Sequence, residues 1–385
     1  MTLTNWQYYA PARIVFGPGT VQTVGDEAKA LGAKKVLVVT DRGVVAAGIV
    51  DKVLAPLRAA GLEALVFDKV EPNPRLSTVE EGHRLFAAQR CDMTIGVGGG
   101  SSMDSAKAIG ILATNPGPII QYEGANKYRR APAPSIAIPT TAGTGAEVTQ
   151  TCVVTDTSRN YKVSIRGLTN VCKVALLDPQ LLTSLPPAVV AATGMDALSH
   201  AIESYLSTNA SRLTEVLALE ATSIIGRRLR DFVRQPSDET AAADMQFAAM
   251  TAGLAFANSR LTTVHGIAHA LGGHFNIPHG IGCAMLLAPV MEFCLPTSAD
   301  RLARIARALG EDVAGLSQEE AAKKAIEAVR RLKRDIGIPE RLRDLGVTVD
   351  KVEALAIDAD VSGIHLTTPR KVTLQDEKAL IESVL

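Results

Sequence analysis

The chain changes character at Pro186-Pro187, and that change limits the folds open to it. Before it, short β-branched runs alternate with helical periodicity. Lys35-Val-Leu-Val-Val-Thr40 is strand-like, residues 48–60 carry a helical pattern that stops at Gly61, and residues 64–70 are strand-like again. Ser77 and Glu80 form a capping-box pattern that predicts a helix running to about Arg90. Residues 92–97 and 135–138 predict two further strands, and residues 149–177 are more β-like, ending at Asp178-Pro179. Such alternation predicts βα units around a largely parallel sheet with helices on both faces. After the prolines, residues 188–385 read as helix after helix, with hardly any strand candidates. A chain of 385 residues is also too long for one ordinary core. The expected fold is therefore an α/β domain with a parallel sheet over residues 1–185, followed by an all-helical domain over residues 186–385.

Lys plus Arg equals Asp plus Glu at 40 each, so the formal net charge is zero. That excludes a dominant basic face for nucleic acid and a polybasic membrane anchor. No apolar run approaches the length of a membrane span, and Met1 to Tyr9 lacks a charged-then-apolar signal pattern. A cytoplasmic protein with a small-molecule ligand is expected. The cysteines (Cys91, Cys152, Cys172, Cys283, Cys294) are scattered, with no Cys-x-x-Cys pair. They read as reduced, buried small hydrophobes, and a thiolate zinc site is not expected.

Four of the seven histidines fall in one stretch, as His265, His269, His274 and His279. A fifth, His200, stands four residues after Asp196, and Glu203 follows three residues later. On a helix, residues four apart share a face with Cβ atoms ~6 Å apart, close enough for one ion. His265 and His269 repeat that spacing, and His279 sits in Pro-His-Gly, where the chain can reverse. Imidazoles beside a carboxylate, without thiolates, suit Fe(II), Zn, Co or Ni rather than Mg or Ca. A single histidine is more often a cap or a partner for a core carbonyl, which is the reading for His274, His83 and His365. Spacing alone leaves open which of the five clustered histidines are ligands.

In the first domain, strand 92–97 runs into Gly98-Gly99-Gly100-Ser101-Ser102-Met-Asp104-Ser-Ala-Lys107. Strand, glycines and helix in that order put backbone N–H groups and a positive helix end under a phosphate. Asp104 is placed to cap N–H groups of the first turn or to hold a ribose hydroxyl. Strand 135–138 leads into Pro139-Thr140-Thr141-Ala-Gly-Thr144-Gly, a loop of small residues with three hydroxyls. Asp41 ends strand 35–40, where a carboxylate accepts from both hydroxyls of an adenosine ribose and repels a 2′-phosphate, which points to NAD over NADP. All three elements lie at carboxyl ends of predicted parallel strands, where α/β sheets bind ligands. The acid precedes the glycines, the reverse of the usual dinucleotide fingerprint, and no Walker lysine motif is present.

These residues together resemble the iron-containing, group III alcohol dehydrogenases. The resemblance rests on Arg13-Ile-Val-Phe-Gly-Pro-Gly19, Val39-Thr-Asp41, the 98–107 and 139–149 segments, Gly194-Met-Asp-Ala-Leu-Ser-His-Ala-Ile-Glu203, and His265-Gly-Ile-Ala-His269 with Pro278-His-Gly280. It implies that Asp196, His200, His265 and His279 bind a divalent metal, Fe(II) first and Zn next. It implies that His269 lies on the substrate side as a proton relay, and that Phe256 lines the pocket. It further implies that the Gly98–Ser102 turn holds the pyrophosphate of NAD, with Asp104 nearby. Thr140, Thr141 and Thr144 would line the phosphate and nicotinamide region, and Lys162 would face the cofactor. A homo-oligomer, dimer or larger, is the family's habit. Leu261-Thr262-Thr263 stands where a Leu-Gly pair is common, and Thr367-Thr-Pro-Arg370 replaces an Asn-Pro-Arg ending. Both departures would border the substrate pocket.

The implied reaction is reversible hydride transfer between a primary alcohol or diol and NAD in a cleft between the domains, with the metal as Lewis acid. Rival branches of the same fold are glycerol dehydrogenase, hydroxy-acid dehydrogenase, a maleylacetate-reductase-like enzyme and a 3-dehydroquinate-synthase-like lyase. A His-Asp metal-dependent phosphohydrolase would need a His-Asp dipeptide, and the chain has none. A non-catalytic metal-stabilised scaffold would not need Asp41, the glycine turn and the Thr-rich loop together.

Overall fold

The computed structural model describes residues 5–385, so the first four residues of the N-terminal stretch lie outside it. Chain contacts divide the molecule into two units. One comprises Pro11–Leu185 and Ser237–Gln246; the other comprises residues 5–10, Pro186–Pro236 and Phe247–Leu385. The division at residue 185 thus has two exceptions with local causes. Tyr9 exchanges backbone hydrogen bonds with the Asn258 amide, at 2.7 and 3.2 Å. Gln246 Nε2 donates to the Pro139 carbonyl at 3.3 Å.

The α/β unit runs β1 (Arg13–Phe16), α1 (Val24–Ala30), β2 (Lys35–Val39), α2 (Arg42–Ala46), α3 (Ile49–Ala59), β3 (Glu63–Phe67), α4 (Leu76–Ala88), β4 (Met93–Gly98), α5 (Gly100–Thr114), β5 (Gly124–Ala125), β6 (Ser135–Pro139), β7 (Thr151–Asp156), β8 (Tyr161–Arg166) and β9 (Val174–Leu177). Six strands form one sheet in the order β1-β9-β6-β4-β2-β3, every pairing parallel. Three of its four inner strands, β4, β6 and β9, are buried along their whole length, which is why they read as largely apolar runs rather than alternating ones. A second sheet, β5-β8-β7, pairs β7 with β8 antiparallel. Val154, Val163 and Ile165 of this small sheet share a core with Leu37, Val39, Phe86, Ile109 and Ile111. Each large aliphatic side chain buried there contributes about 1.5–3 kcal/mol.

Ser77 and Glu80 do not form the expected capping box. The helix begins one residue before Ser77, with Arg75 as its cap residue. Glu71 supplies the anchor instead, accepting from Arg75 N at 3.2 Å and Thr78 Oγ1 at 2.8 Å.

The second unit is helical throughout: α6 (Pro187–Leu206), α7 (Arg212–Arg234), the later turns of α8 (Glu239–Ser259), α9 (Thr263–Phe275), α10 (His279–Ala308), α11 (Gln318–Asp335), α12 (Val352–Val361) and α13 (Leu374–Glu382). Pro187 opens α6 at a position where a missing N–H costs no helical bond. α7, α11 and α13 each open on a complete capping box. By length and composition α10 could cross a membrane, contrary to the expectation that no apolar run comes near that length. It packs against α6, α9 and α11 and is mostly buried, as a core helix is.

Candidate active site: a nucleotide cradle and a metal shell

The strand order fixes where the α/β unit can bind a ligand. From β2 the chain moves outward to β3, then returns to the opposite side of β2 for β4 and continues to β6. The winding therefore reverses beside β2 and β4, and ligands bind at the carboxyl ends of strands flanking such a reversal. Those ends carry Thr40-Asp41, Gly98-Gly99-Gly100 and Pro139-Thr140-Thr141. The second and third of these are tied together, since Thr140 N donates to the Gly98 carbonyl at 3.0 Å. Asp41 is the N-cap of α2, its Oδ1 accepting from Val44 N at 3.0 Å. A Cβ on Gly98 would lie 3.4 Å from Asp41 Oδ2 but only 2.5 Å from Ser102 Oγ, and Gly98 has φ +144. Only glycine fits that turn.

Gly99 caps α5 and Gly100 opens it, with Ser101 in the first turn, so the N-terminus of a 15-residue helix points its N–H groups out of the strand end. Ser102 Oγ, Thr40 Oγ1 and Thr141 Oγ1 are buried without a hydrogen-bond partner. Unpaired buried hydroxyls in a glycine-lined cradle fit a bound phosphate or ribose. A Cβ on Gly100 would come within 2.8 Å of the Thr144 methyl, so Thr144 covers the same turn. Thr144 Oγ1 accepts from Ala146 N at 3.3 Å.

Asp104 sits past the first turn, and it caps none of the leading N–H groups. Its Oδ2 accepts from Val153 N at 3.0 Å, and its Oδ1 stands 3.7 Å from Lys107 Nζ. Burial pushes its carboxyl up to about 6, against the pull of Lys107, the Val153 bond and Lys162. Lys162 lies on β8, opposite Thr155. The buried Lys107 ammonium donates to the carbonyls of Ala146, Thr149 and Thr151, the latter two at 3.0 Å. It clips the Thr-rich loop to α5, a role that the spacing of the motif did not suggest.

The histidines converge in the helical unit. Asp196 and His200 come from α6, His265 and His269 from α9, and His279 from the first residue of α10. The chain reverses at Asn276, whose φ is +53. Gly280 then lets α10 meet α6, because a Cβ there would lie 2.1 Å from the Ala192 carbonyl oxygen. The Nε2 atoms of His265, His279 and His200 stand 3.6, 3.7 and 3.9 Å from one oxygen, Asp196 Oδ1. Donors bound tetrahedrally at about 2.1 Å are about 3.4 Å apart, so this shell is within a few tenths of an ångström of holding an ion. Asp196 is buried, and its Oδ1 has no hydrogen-bond partner. An orphaned carboxylate oxygen facing three imidazoles fits a divalent cation.

The electrostatics agree. Burial would raise the Asp196 carboxyl, but His200, His279 and His265 hold it far below the usual carboxylate range. Burial disfavours charge on His265, yet Cys283, Glu203 and Asp196 raise it well above the ordinary imidazole value. The pocket is built to hold positive charge.

Contrary to the expectation that cysteine stays out of the site, Cys283 is part of this cluster. One donor atom each from Asp196, His265, His279 and Cys283 lie within 4.8 Å of one another. The signal was present in the sequence, since Cys283 follows His279 by the same four residues that separate Asp196 from His200. All five cysteines are nevertheless free and buried, and burial pushes the Cys283 thiol up to about 12.

Glu203 orients the shell. It is buried, and a carboxylate can only accept, so His265 donates its Nδ1–H to Glu203 Oε2. In the neutral imidazole that a bound cation would require, this leaves the His265 Nε2 lone pair facing Asp196 Oδ1. Glu203 Oε1 also accepts from Thr262 N at 2.9 Å and Thr262 Oγ1 at 2.7 Å. Thr263 N donates to Thr368 Oγ1 at 3.2 Å, and Thr263 Oγ1 to Glu377 at 3.0 Å. The 262–263 and 367–368 departures therefore meet each other behind His265. All four threonines are buried.

Phe256 stacks on His200 with ring centres 4.3 Å apart. The His269 ring lies 5.3 Å from that of His279 and 6.4 Å from that of His265, beside the shell but outside the donor group. His274 is elsewhere engaged, its Nε2 2.6 Å from Asp358 Oδ2.

Comparison with known proteins agrees with both halves. Residues 11–179 match the family model for iron-containing alcohol dehydrogenase, and residues 190–385 match the C-terminal model of the Fe-containing alcohol dehydrogenase family. The chain is 42% identical over 382 residues to the 1,3-propanediol dehydrogenase of Klebsiella pneumoniae, covering 99% of each. It is 39% identical over 383 residues to the NAD-dependent methanol dehydrogenase of Bacillus methanolicus, covering 100% of each. A solved 1,3-propanediol oxidoreductase superposes with a TM-score of 0.96 at 42% identity, over 99% of this chain and 100% of that one. The chain belongs to the iron-containing alcohol dehydrogenase family, and it is an NAD-linked oxidoreductase of alcohols and aldehydes.

Proposed function

We propose that the chain oxidises short primary alcohols and diols, and reduces the matching aldehydes, with a divalent metal held by Asp196, His200, His265 and His279. The observation that carries this reading is Asp196 Oδ1, a buried oxygen without a hydrogen-bond donor, facing three imidazole nitrogens. Relatives named for 1,3-propanediol and for methanol support the substrate class. The donor set suits Fe(II) and zinc alike, and membership of the iron-containing family puts Fe(II) first.

When bound, the cation supplies Lewis acidity toward a substrate oxygen, and the nicotinamide supplies the hydride acceptor. The chain's residues do the rest. Glu203 fixes the tautomer of His265. Phe256 presents an apolar ring against His200 and lines the substrate side. His269, beside the donors but not among them, carries the hydroxyl proton toward water. Gly98–Ser102 and Thr141 hold the pyrophosphate. Thr140, Thr144 and Lys162 bound the rest of the cofactor region, and Asp41 accepts from the adenosine ribose. A carboxylate at residue 41 disfavours a 2′-phosphate, so Asp41→Ser should raise activity with NADP relative to NAD. The five free cysteines fit a reducing cytoplasm, and a dimer or larger homo-oligomer is the expected assembly, to be checked by sedimentation.

The test is metal analysis of protein purified without added metal, beside NADH production with a panel of primary alcohols, diols and hydroxy acids. About one transition-metal ion per chain and chelator-sensitive turnover of the alcohols and diols are expected. Failure of NADH to bind, seen as unchanged nicotinamide fluorescence, would sink the reading.

A further inference from the structure

The four-ligand set leaves one side chain of the shell without a task. Cys283 is buried in the second turn of α10, four residues from His279 and on the same face. Its sulfur is 3.7 Å from His265 Nε2 and 3.8 Å from His279 Nε2. A sulfur at about 2.3 Å and a nitrogen at about 2.1 Å on one tetrahedral ion stand about 3.6 Å apart. The sulfur therefore lies at donor distance from the space that the imidazoles enclose, not in a neighbouring packing layer. The unpartnered Asp196 Oδ1 belongs to the same group of four donor atoms. His200 is the outlying member, at 3.9 Å from Asp196, with its ring stacked between Phe256 and His265.

We infer that Cys283 is itself a metal donor, so that the ion of this enzyme sits in a mixed nitrogen, oxygen and sulfur shell. The inference rests on the reading that a metal occupies the Asp196 and histidine site. On binding, the thiol releases its proton to solvent and the thiolate takes a coordination position. Two consequences follow from ligand softness. A thiolate favours zinc and cobalt over the harder, oxygen-preferring cations. It also adds negative charge beside Asp196, which tightens retention of the ion.

The experiment uses the full chain, stripped by chelator and reloaded with Co(II), with Zn(II)-loaded wild type measured in parallel. Wild type should show a sulfur-to-cobalt charge-transfer band in the near ultraviolet beside the weaker visible cobalt bands. The Cys283→Ser variant should keep the visible bands and lose the ultraviolet one. X-ray absorption at the zinc edge of wild type should contain a sulfur neighbour at about 2.3 Å, a measurement that needs no variant to fold. The variant should release zinc to a competing chelator at least about tenfold more readily. One equivalent of cobalt without the charge-transfer band, together with an all-nitrogen-and-oxygen zinc shell, overturns the inference and leaves the four-ligand site standing. Failure to bind any ion overturns both.

Discussion

Replacing Glu203 by Gln should disable the metal site without touching a ligand. Glu203 Oε1 receives two donors from Thr262 and lies 3.4 Å from His265 N, while Oε2 receives the His265 Nδ1 proton. An amide offers one acceptor oxygen and one NH₂ donor. The oxygen must take the Oε1 position, because the Thr262 backbone N–H can only donate. The NH₂ group then faces His265 Nδ1, and two donors cannot share that contact. The imidazole responds by moving its proton to Nε2, where it points at Asp196 Oδ1, 3.6 Å away. Binding a metal now requires reversing that tautomer and leaving a buried donor unpaired, which costs about 1–3 kcal/mol. With about 1.4 kcal/mol per factor of ten, the expected loss is 10–100-fold in metal affinity, the range seen for outer-shell carboxylates. The assay is competition for zinc against a calibrated chelator, with thermal melts of both metal-free proteins to show that the fold persists. The metal-free variant should melt near the wild type, since Asp196 gains a donor. Zinc affinity within about twofold of wild type in a folded variant would refute the tautomer argument.

Gly98→Ala should destabilise the α/β unit by about 1–3 kcal/mol, because residue 98 has φ +144 and a Cβ would meet Ser102 Oγ at 2.5 Å. NADH affinity by nicotinamide fluorescence should fall with it, and an unchanged dissociation constant would count against the glycine cradle. Burial pushes the Glu147 carboxyl from 4.5 up to about 7. The folded state thus holds this proton more tightly than the unfolded one, and stability from this group falls as pH rises from about 4.5 to 7. Glu147→Gln should remove that slope, gaining up to about 3 kcal/mol over wild type above pH 7 and little at pH 4.5 in denaturant titrations. Parallel curves for the two proteins would contradict it. His274→Ala should leave metal content unchanged and cost under about 1 kcal/mol, since His274 and Asp358 form a partly exposed pair outside the donor group. Loss of the metal would show that His274 supports the shell.

What the sequence disclosed follows the range of each interaction. β4 and β6 are legible because a parallel strand covered on both faces is apolar at nearly every position. The i, i+4 pairs were legible because one helix turn brings their side chains together. Cys283 obeys that same rule with His279, but cysteine is so often a buried hydrophobe that the spacing alone does not mark it. The start of α4 is not legible, because its anchor, Glu71, stands upstream of the helix and outside the window that a capping box spans. The seating of Tyr9 on Asn258 joins residues 249 positions apart, and no local pattern can announce it. Lys107 was hidden for a different reason, since its partners are backbone carbonyls that leave no residue-type signature.

The two departures from the family pattern act together at one place in the fold. Read singly, Thr262-Thr263 and Thr367-Thr368 look like changes in substrate pocket lining. Placed in the fold, they solve one problem, the start of α9. The first N–H groups of a helix have no partner within it and must find one elsewhere. Thr262 occupies the N-cap position, yet its side chain does not cap α9, because Oγ1 donates to Glu203. The duty passes to remote groups: Thr368 Oγ1 receives Thr263 N, and Glu203 Oε1 lies 3.4 Å from His265 N. The Thr367 hydroxyl donates to the Leu261 carbonyl just ahead of the cap, and its own carbonyl receives Thr208 N at 2.9 Å. A buried carboxylate at the positive end of α9 is also where the helix dipole favours it. The threonines therefore fix the start of the helix that carries His265 and His269. They bear on how firmly His265 is held, and on the proposed function the choice of alcohol is to be sought among the residues facing Phe256 and His269.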